Sequence, residues 1–199
     1  MTYKNIIFDF GNVLADWQPH RIAKKFSRSD AECELMEAAI FENWAILDTG
    51  DVTFDQFREG VMNQLPAGLH KTAAELLDTW HQHIPYVEGM QELIPKLKEA
   101  GYRLYLLSNA PAMLKDHLAA FDIMRFFDGA VISGDIKLTK PDQRIYQYIL
   151  NEYALKPEEC LFIDDLIDNV AAARDCGIDS IQFKGDVSEI EALLLPQPV

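Results

Sequence analysis

Basic residues, cysteines and long apolar runs are scarce in this chain, and each scarcity excludes something. The 18 lysines and arginines face 32 acidic residues, for a net charge of −14. A field of that sign repels polyanions, so nucleic acid and acidic membrane surfaces are not expected partners. It also repels a free phosphate ester, so a phosphate site here must bring its own positive charge, which a bound cation would supply. The three cysteines, Cys33, Cys160 and Cys176, fall in no metal or redox spacing. An odd, unpatterned set reads as reduced thiols, and Cys160 and Cys176, in apolar stretches, are expected as small core residues. No apolar run approaches the roughly 20 residues of a membrane span, and the chain enters a strand-like run at Ile6 without a leader pattern. The expectation is a cytoplasmic protein, monomer or homodimer, with no membrane partner.

What is present suits an ordinary globular fold: 199 residues, 49% hydrophobic and 25% charged. The β-prone runs are Asn5–Phe8, Arg103–Leu107, Gly129–Ile132, Cys160–Ile163 and Ser180–Phe183. They are apolar throughout rather than alternating, as parallel strands covered on both faces are. Helical patterns follow at Pro111–Ala120, Pro141–Tyr153, Ile167–Cys176 and Val187–Leu195, and Gly101 and Gly177 stand where C-cap glycines belong. This alternation predicts an α/β, doubly wound, Rossmann-like parallel sheet.

Residues 16–85 break the alternation. They carry two capping-box patterns, Ser29-x-x-Glu32 and Thr53-x-x-Gln56. Leu35, Met36, Ala39 and Ile40 mark one apolar helix face, and Leu76, Leu77 and Trp80 another. We read a small all-helical cap, residues 16–85, inserted after the first strand of an α/β catalytic core of residues 1–15 and 86–199. A cap placed there lies over the end of strand one, as a lid.

Open parallel sheets bind ligands at the carboxyl ends of their strands. Asp9 ends the first run, Ser108-Asn109 the second and Asp164-Asp165 the fourth, and Lys140 follows the third. Taken singly, each has a structural explanation as a helix cap, a turn or a solvated side chain. Together they supply the parts of phosphate-ester cleavage. Asp9 is a carboxylate nucleophile, and Lys140 a point charge for the transferring group. Ser108 and Asn109 are hydrogen-bond donors to phosphate, and a helix opening at Pro111 would aim its positive end at the same place. Carboxylates without a histidine beside them suit Mg²⁺, a hard ion that prefers oxygen.

The segments Asp9-Phe-Gly-Asn-Val-Leu, Leu-Leu-Ser108-Asn109, Thr-Lys140-Pro-Asp and Phe-Ile-Asp164-Asp165, in that order, resemble the four motifs of the haloacid dehalogenase superfamily. The insertion resembles the helical cap of the subfamily that acts on small phosphorylated metabolites. The first motif and the segment around Lys140 are most similar to the sugar-phosphate phosphatase branch, which includes glucose-1-phosphate phosphatases. The resemblance implies a Mg²⁺-dependent phosphomonoester hydrolase working through a phosphoaspartyl intermediate on Asp9. Mg²⁺ would lie on Asp9, the Gly11 carbonyl and Asp165, with Asp164 in or near its shell. Ser108, Asn109 and Lys140 would hold the phosphate.

One position departs from the pattern. Phosphatases of the superfamily usually carry a second aspartate two residues after the nucleophile, as general acid and base, and here that residue is Gly11. Such help is typically worth about 10²–10⁴-fold. Asp164, Asp16, His20 or a metal-bound water could replace it. Two alternatives compete: a 2-haloacid dehalogenase, which attacks carbon without a metal, and a catalytically weak binding protein of the same fold. His81 and His83 read as surface or cap residues, and His70 and His117 as isolated. Trp17, Trp44 and Trp80 read as cap core, with Trp17 nearest the hinge.

Overall fold

Strands without a polar face must be covered twice, and the fold covers them. The computed structural model describes residues 3–195. Strands β1 (Asn5–Phe8), β2 (Arg103–Ser108), β3 (Gly129–Ile132), β4 (Cys160–Asp164) and β5 (Asp179–Gln182) form one parallel sheet in the order β3-β2-β1-β4-β5. Between β1 and β2 come α1 (Pro19–Phe26), α2 (Asp30–Met36), α3 (Ala45–Asp48), α4 (Phe54–Gln64), α5 (His70–Thr79) and, back at the sheet, α6 (Met90–Glu99). The later helices are α7 (Leu114–His117), α8 (Ser133–Ile136), α9 (Gln143–Glu152), α10 (Ile167–Asp175) and α11 (Val187–Leu194).

Successive strand residues point to opposite faces, and the two core clusters divide accordingly. Ile7, Tyr105, Leu107 and Phe162 pack with Ile145, Tyr146 and Ile149 of α9 and Ala172 and Ala173 of α10. Ile6, Phe8, Leu104, Leu106, Leu161 and Ile163 pack on the other face with Leu93, Ile94 and Leu97 of α6 and Ile190 and Leu194 of α11. That second cluster continues without a break into the helical insert, through Phe10, Leu14 and Leu114 to Met36, Trp44, Leu76 and Trp80. The insert's two crossings lie side by side: the Asp16 N–H donates to Pro85 O at 2.8 Å and the Val87 N–H to Leu14 O at 3.0 Å.

Local signals account for most element ends. Thr53 and Gln56 form the full reciprocal capping box at α4. Ser29 accepts the Glu32 N–H at 3.2 Å, but the Glu32 carboxylate takes the Arg28 N–H at 2.9 Å, one residue before the box's partner. Gly101 and Gly177 adopt φ of +93° and +80° behind α6 and α10, where a side chain would be strained. Strands β2 and β4 each run one residue past the apolar pattern, taking in Ser108 and Asp164, and β5 starts one residue early.

Two helical expectations are corrected. No helix opens at Pro111: the Ala110 carbonyl, which would accept the Leu114 N–H in such a helix, is taken by the Gly134 N–H at 3.1 Å. Leu114 donates instead to Pro111 O at 2.9 Å, and the one-turn α7 begins only at Leu114. Leu35 lies outside the apolar face, 45% exposed, whereas Met36, Ala39 and Ile40 are buried. A π-helical turn, Glu37–Phe41, follows directly on α2.

Candidate active site

Pleat and register together build the site. Asp9 lies two residues after Ile7, and Asp164 two after Phe162, so both carboxylates continue the face covered by α9 and α10. The pairing Phe8↔Ile163 brings Asp9 level with Asp164, and the Asp9 N–H donates to Ile163 O at 2.9 Å. The sheet grows outward from β1 in one direction through β2 and β3, then in the other through β4 and β5. The two carboxylates therefore stand at the topological switch point between β1 and β4.

Lys140 reaches over this edge. Its Nζ donates to Asp9 Oδ1 at 2.6 Å and to Asp164 Oδ2 at 2.6 Å, and lies 5.5 Å from the centre of the Phe162 ring. The side chain is almost wholly buried, and Asn109 holds its backbone. Asn109 Oδ1 accepts the Lys140 N–H at 2.8 Å, and Asn109 Nδ2 donates to Lys140 O at 2.9 Å. The Lys140–Pro141 peptide is cis. Asn109 thus spends both ends of its amide on Lys140, a role its sequence position did not suggest. Ser108 is buried at the end of β2.

Asp164 is satisfied on every side. Its Oδ1 accepts the Leu166 N–H at 2.8 Å, and Asn169 Nδ2 donates to both oxygens at 3.0 and 3.1 Å. Tyr146 secures that asparagine by donating from its hydroxyl to Asn169 O at 2.9 Å. Sequence reasoning passed over Asn169. Its only signal is its place one turn into α10, directly behind the Asp164-Asp165 pair. Asp165 is half-buried, and Asn12 Nδ2 approaches its Oδ2 at 3.4 Å.

The charges are unbalanced. Burial pushes the Asp9 carboxyl up to about 7, with Lys140 pulling it down and the Asp164 charge pushing it up. Burial opposes the Lys140 ammonium, but Asp9 and Asp164 outweigh it and hold its pKa above the ordinary value. Burial, and then the Asp164 charge, raise Asp165. One carboxylate oxygen from each of Asp9, Asp164 and Asp165 lies within 4.8 Å of the others. Three carboxylates around one ammonium leave a surplus of negative charge that a divalent cation would neutralise. An all-oxygen donor set fits Mg²⁺. Because hydrogen bonds already engage both Asp164 oxygens, Asp9 and Asp165 offer the freer ligands.

Two cavities flank this rim. On the Asp165 side an open one of about 580 Å³ includes Asn12, Asp16, Arg21 and Lys184. On the other side a cavity of about 90 Å³ lies between core and insert. Gly11, Ser108 and Asn109 line it from below, and Trp17, Trp44, Trp80 and Asp48 from above. The three tryptophans pack against one another, with ring centroids 5.1–5.6 Å apart. Asp48, the last residue of α3, was not among the residues selected from sequence. Asp16 and His20, which were, are paired elsewhere: Asp16 with Arg21 at 2.6 Å and His20 with Glu37 at 2.8 Å. Neither lines the small cavity.

Part of the histidine reading is also corrected: His81 lies in the insert but not at the surface, and His117 is not isolated. His81 is buried and stacks on His117 of α7, centroids 3.8 Å apart and planes 10° from parallel. Burial, and then His117 and His83, lower its pKa. The contact joins residues 36 positions apart, so neither sequence neighbourhood announced it.

Comparison with known proteins shows the family and the fold. The sequence profile of the haloacid dehalogenase-like hydrolases matches residues 3–177. The chain is 27% identical over 187 residues to sesquiterpene phosphatase astK of Aspergillus oryzae, covering 89% of this chain and 88% of that one. It is 24% identical over 200 residues to D-ribitol-5-phosphate phosphatase of Bacteroides thetaiotaomicron, covering 90% and 91%. Its fold is similar to that of a family enzyme from Bacteroides thetaiotaomicron solved with magnesium and inorganic phosphate. The TM-score there is 0.74, at 23% identity, over 94% of this chain and 98% of that one.

Proposed function

The chain belongs to the haloacid dehalogenase-like hydrolases and is an enzyme of the phosphatase type. Within that family we propose that it hydrolyses a small phosphorylated metabolite of the sugar-phosphate class, with Mg²⁺, through a phosphoaspartyl intermediate on Asp9. The observation that carries this is the triad of Asp9, Lys140 and Asp164 at the switch point, with Lys140 Nζ 2.6 Å from both carboxylates. The catalytic core is residues 1–15 and 86–199, and the cap is residues 16–85.

Mg²⁺ bound by Asp9, the Gly11 carbonyl and Asp165, with Asp164 beside it, would neutralise charge on the phosphoryl oxygens and lower the repulsion between two anions. Asp9 attacks phosphorus in line with the ester oxygen. Lys140 stays against the reacting carboxylate and meets the charge that gathers on the phosphoryl group. Asn109 holds the Lys140 backbone, so the ammonium need not reorganise during transfer. Ser108 faces the phosphate from the end of β2. Asp164 and Asn169 form the fixed floor beneath Lys140.

The small cavity, about 90 Å³, falls below the roughly 300–1,000 Å³ of common ligand pockets. A sugar phosphate therefore enters with the cap lifted about its two crossings, and the cap reseats to exclude water during transfer. Haloacid dehalogenation explains the rim less well. Attack on carbon gives no use to the surplus of carboxylates, whereas a metal-assisted phosphoryl transfer does.

The test is phosphate release from an aryl phosphate and a panel of sugar phosphates, with and without Mg²⁺, beside Asp9→Asn. Magnesium-dependent release that Asp9→Asn abolishes is the expected result. No release from any compound, or equal release by Asp9→Asn, would overturn the proposal.

A further inference from the structure

The position two residues after Asp9 has no side chain to protonate a leaving oxygen, yet crowding does not forbid one there. A Cβ on Gly11 would meet only Trp17 Cβ at 3.7 Å, an ordinary contact. Across the small cavity from Gly11 lies Asp48. Its Oδ1 is buried and has no hydrogen-bond partner among the described residues. Trp80 Nε1, on the same cavity, is also buried and unpaired. Buried polar atoms are rarely left so, and a cavity presenting one free acceptor and one free donor is built for a polar guest.

The backbone that carries Asp48 is seated firmly on the core. Ser133 Oγ donates to Asp48 O at 2.7 Å and accepts the Ala110 N–H at 3.0 Å, tying α3 to the loop after β2. Gly50 and Gly134 meet backbone to backbone. A Cβ on Gly50 would lie 2.2 Å from Gly134 O, and one on Gly134 would lie 2.9 Å from Leu47 O. Asp48 therefore sits over the rim only when the cap is seated.

We propose that Asp48, delivered by the cap, is the general acid and base of the reaction, replacing the side chain that Gly11 lacks. This rests on the phosphomonoesterase reading above. In the first half-reaction an Asp9 oxygen forms a bond to phosphorus while the bond from phosphorus to the ester oxygen breaks. The released electron pair stays on the ester oxygen, which takes the Asp48 proton and departs as an alcohol. In the second half-reaction the Asp48 carboxylate takes a proton from water as the water oxygen attacks phosphorus. The phosphorus–Asp9 bond breaks, and inorganic phosphate leaves with both carboxyls in their starting states. Burial, with the Asp9 charge adding to it and Lys140 opposing, lifts the Asp48 carboxyl to about 7, which suits a group that must both give and take a proton near neutrality.

The test compares kcat/KM for an alkyl phosphate, whose leaving alcohol needs a proton, with that for 4-nitrophenyl phosphate, whose leaving phenolate does not. Asp48→Asn, close in shape, should lower the alkyl value by about 10²–10⁴-fold and the aryl value by less than about tenfold. With the aryl substrate it should also release a burst of phenolate and then turn over slowly, because water is no longer activated. Adding Gly11→Asp to Asp48→Asn should restore alkyl turnover at least tenfold, which no structural role of Asp48 would allow. Equal losses on both substrates, no loss on either, or no rescue by Gly11→Asp would overturn the assignment. A wild-type protein that cleaves neither ester defeats the phosphatase reading first, and this assignment with it.

Discussion

Replacing Lys140 with methionine removes the one ammonium that two buried carboxylates share. Its Nζ lies 2.6 Å from Asp9 Oδ1 and 2.6 Å from Asp164 Oδ2, at a place where Lys140 and Asp164 are both inaccessible to solvent. Breaking a buried pair by deleting one partner costs about 3–5 kcal/mol, because the remaining charge is left uncompensated. In a chain of this size each kcal/mol shifts Tm by about 2–4 °C, so Lys140→Met should melt roughly 6–20 °C below wild type. The assay is thermal unfolding in EDTA at pH 8 and at pH 5, repeated with Mg²⁺.

The sign of the pH dependence follows from Asp9. Burial raises its folded pKa from 3.8 to about 7, so its contribution to metal-free stability is full below about pH 4 and declines as pH rises to 7. Lys140 is the opposing influence, and removing it pushes Asp9 higher still. At pH 5 Asp9 is then neutral with or without Lys140, and one of the two stranded charges is gone. The deficit of Lys140→Met should accordingly be smaller at pH 5 than at pH 8, and Mg²⁺ should shrink it at pH 8. Equal melting of mutant and wild type in EDTA at pH 8, or a larger deficit at pH 5, would refute this electrostatic reasoning.

Asn109→Ala removes both bonds that fix the Lys140 backbone. It should lower kcat on an aryl phosphate by about 10²-fold, the effect of a displacement of roughly 1 Å in a catalytic group, while Asn109→Asp, which keeps the acceptor, falls between. Gly50→Ala drives a methyl group into Gly134 O, at 2.2 Å, from a backbone with φ +70°. It should unseat the cap edge, lowering kcat/KM on alkyl phosphates more than on aryl ones and changing tryptophan fluorescence, while far-UV circular dichroism shows the core still folded.

The sheet was legible in the sequence because burial on both faces leaves a local trace. Runs such as Cys160–Ile163 are apolar at every position, and a polar residue ends each of them. The rim was legible for a related reason: Asp9, Ser108 and Asp164 each lie where an apolar run gives way to a polar residue, Lys140 lies in the loop after the third run, and parallel topology gathers strand ends at one edge. The capping box at Thr53 and the glycines at 101 and 177 needed only their neighbours. The failures share a cause as well. A helix at Pro111 looked sound locally until Gly134, from a distant segment, took the carbonyl that would have started it. The stack of His81 on His117 likewise joins segments whose own patterns are ordinary, whereas the bond from Asn169 to Asp164 spans only five residues and depends on how the turn into α10 folds.

The sequence by itself therefore determined the α/β class, the helical insert and the group of residues that meet at the rim, since each follows from periodicity or from an element's end. Tertiary structure alone decided that the Asn109 amide serves Lys140 and that Asp164 is saturated with donors. It also decided that a cap aspartate, unremarked between Trp44 and Gly50, lines the same small cavity as Gly11 with an oxygen that has no partner among the described residues. Hydrogen-bond partners and burial are properties of the packed chain, and a residue such as Asp48 acquires them only when a backbone contact between Gly50 and Gly134 brings its helix down onto the sheet.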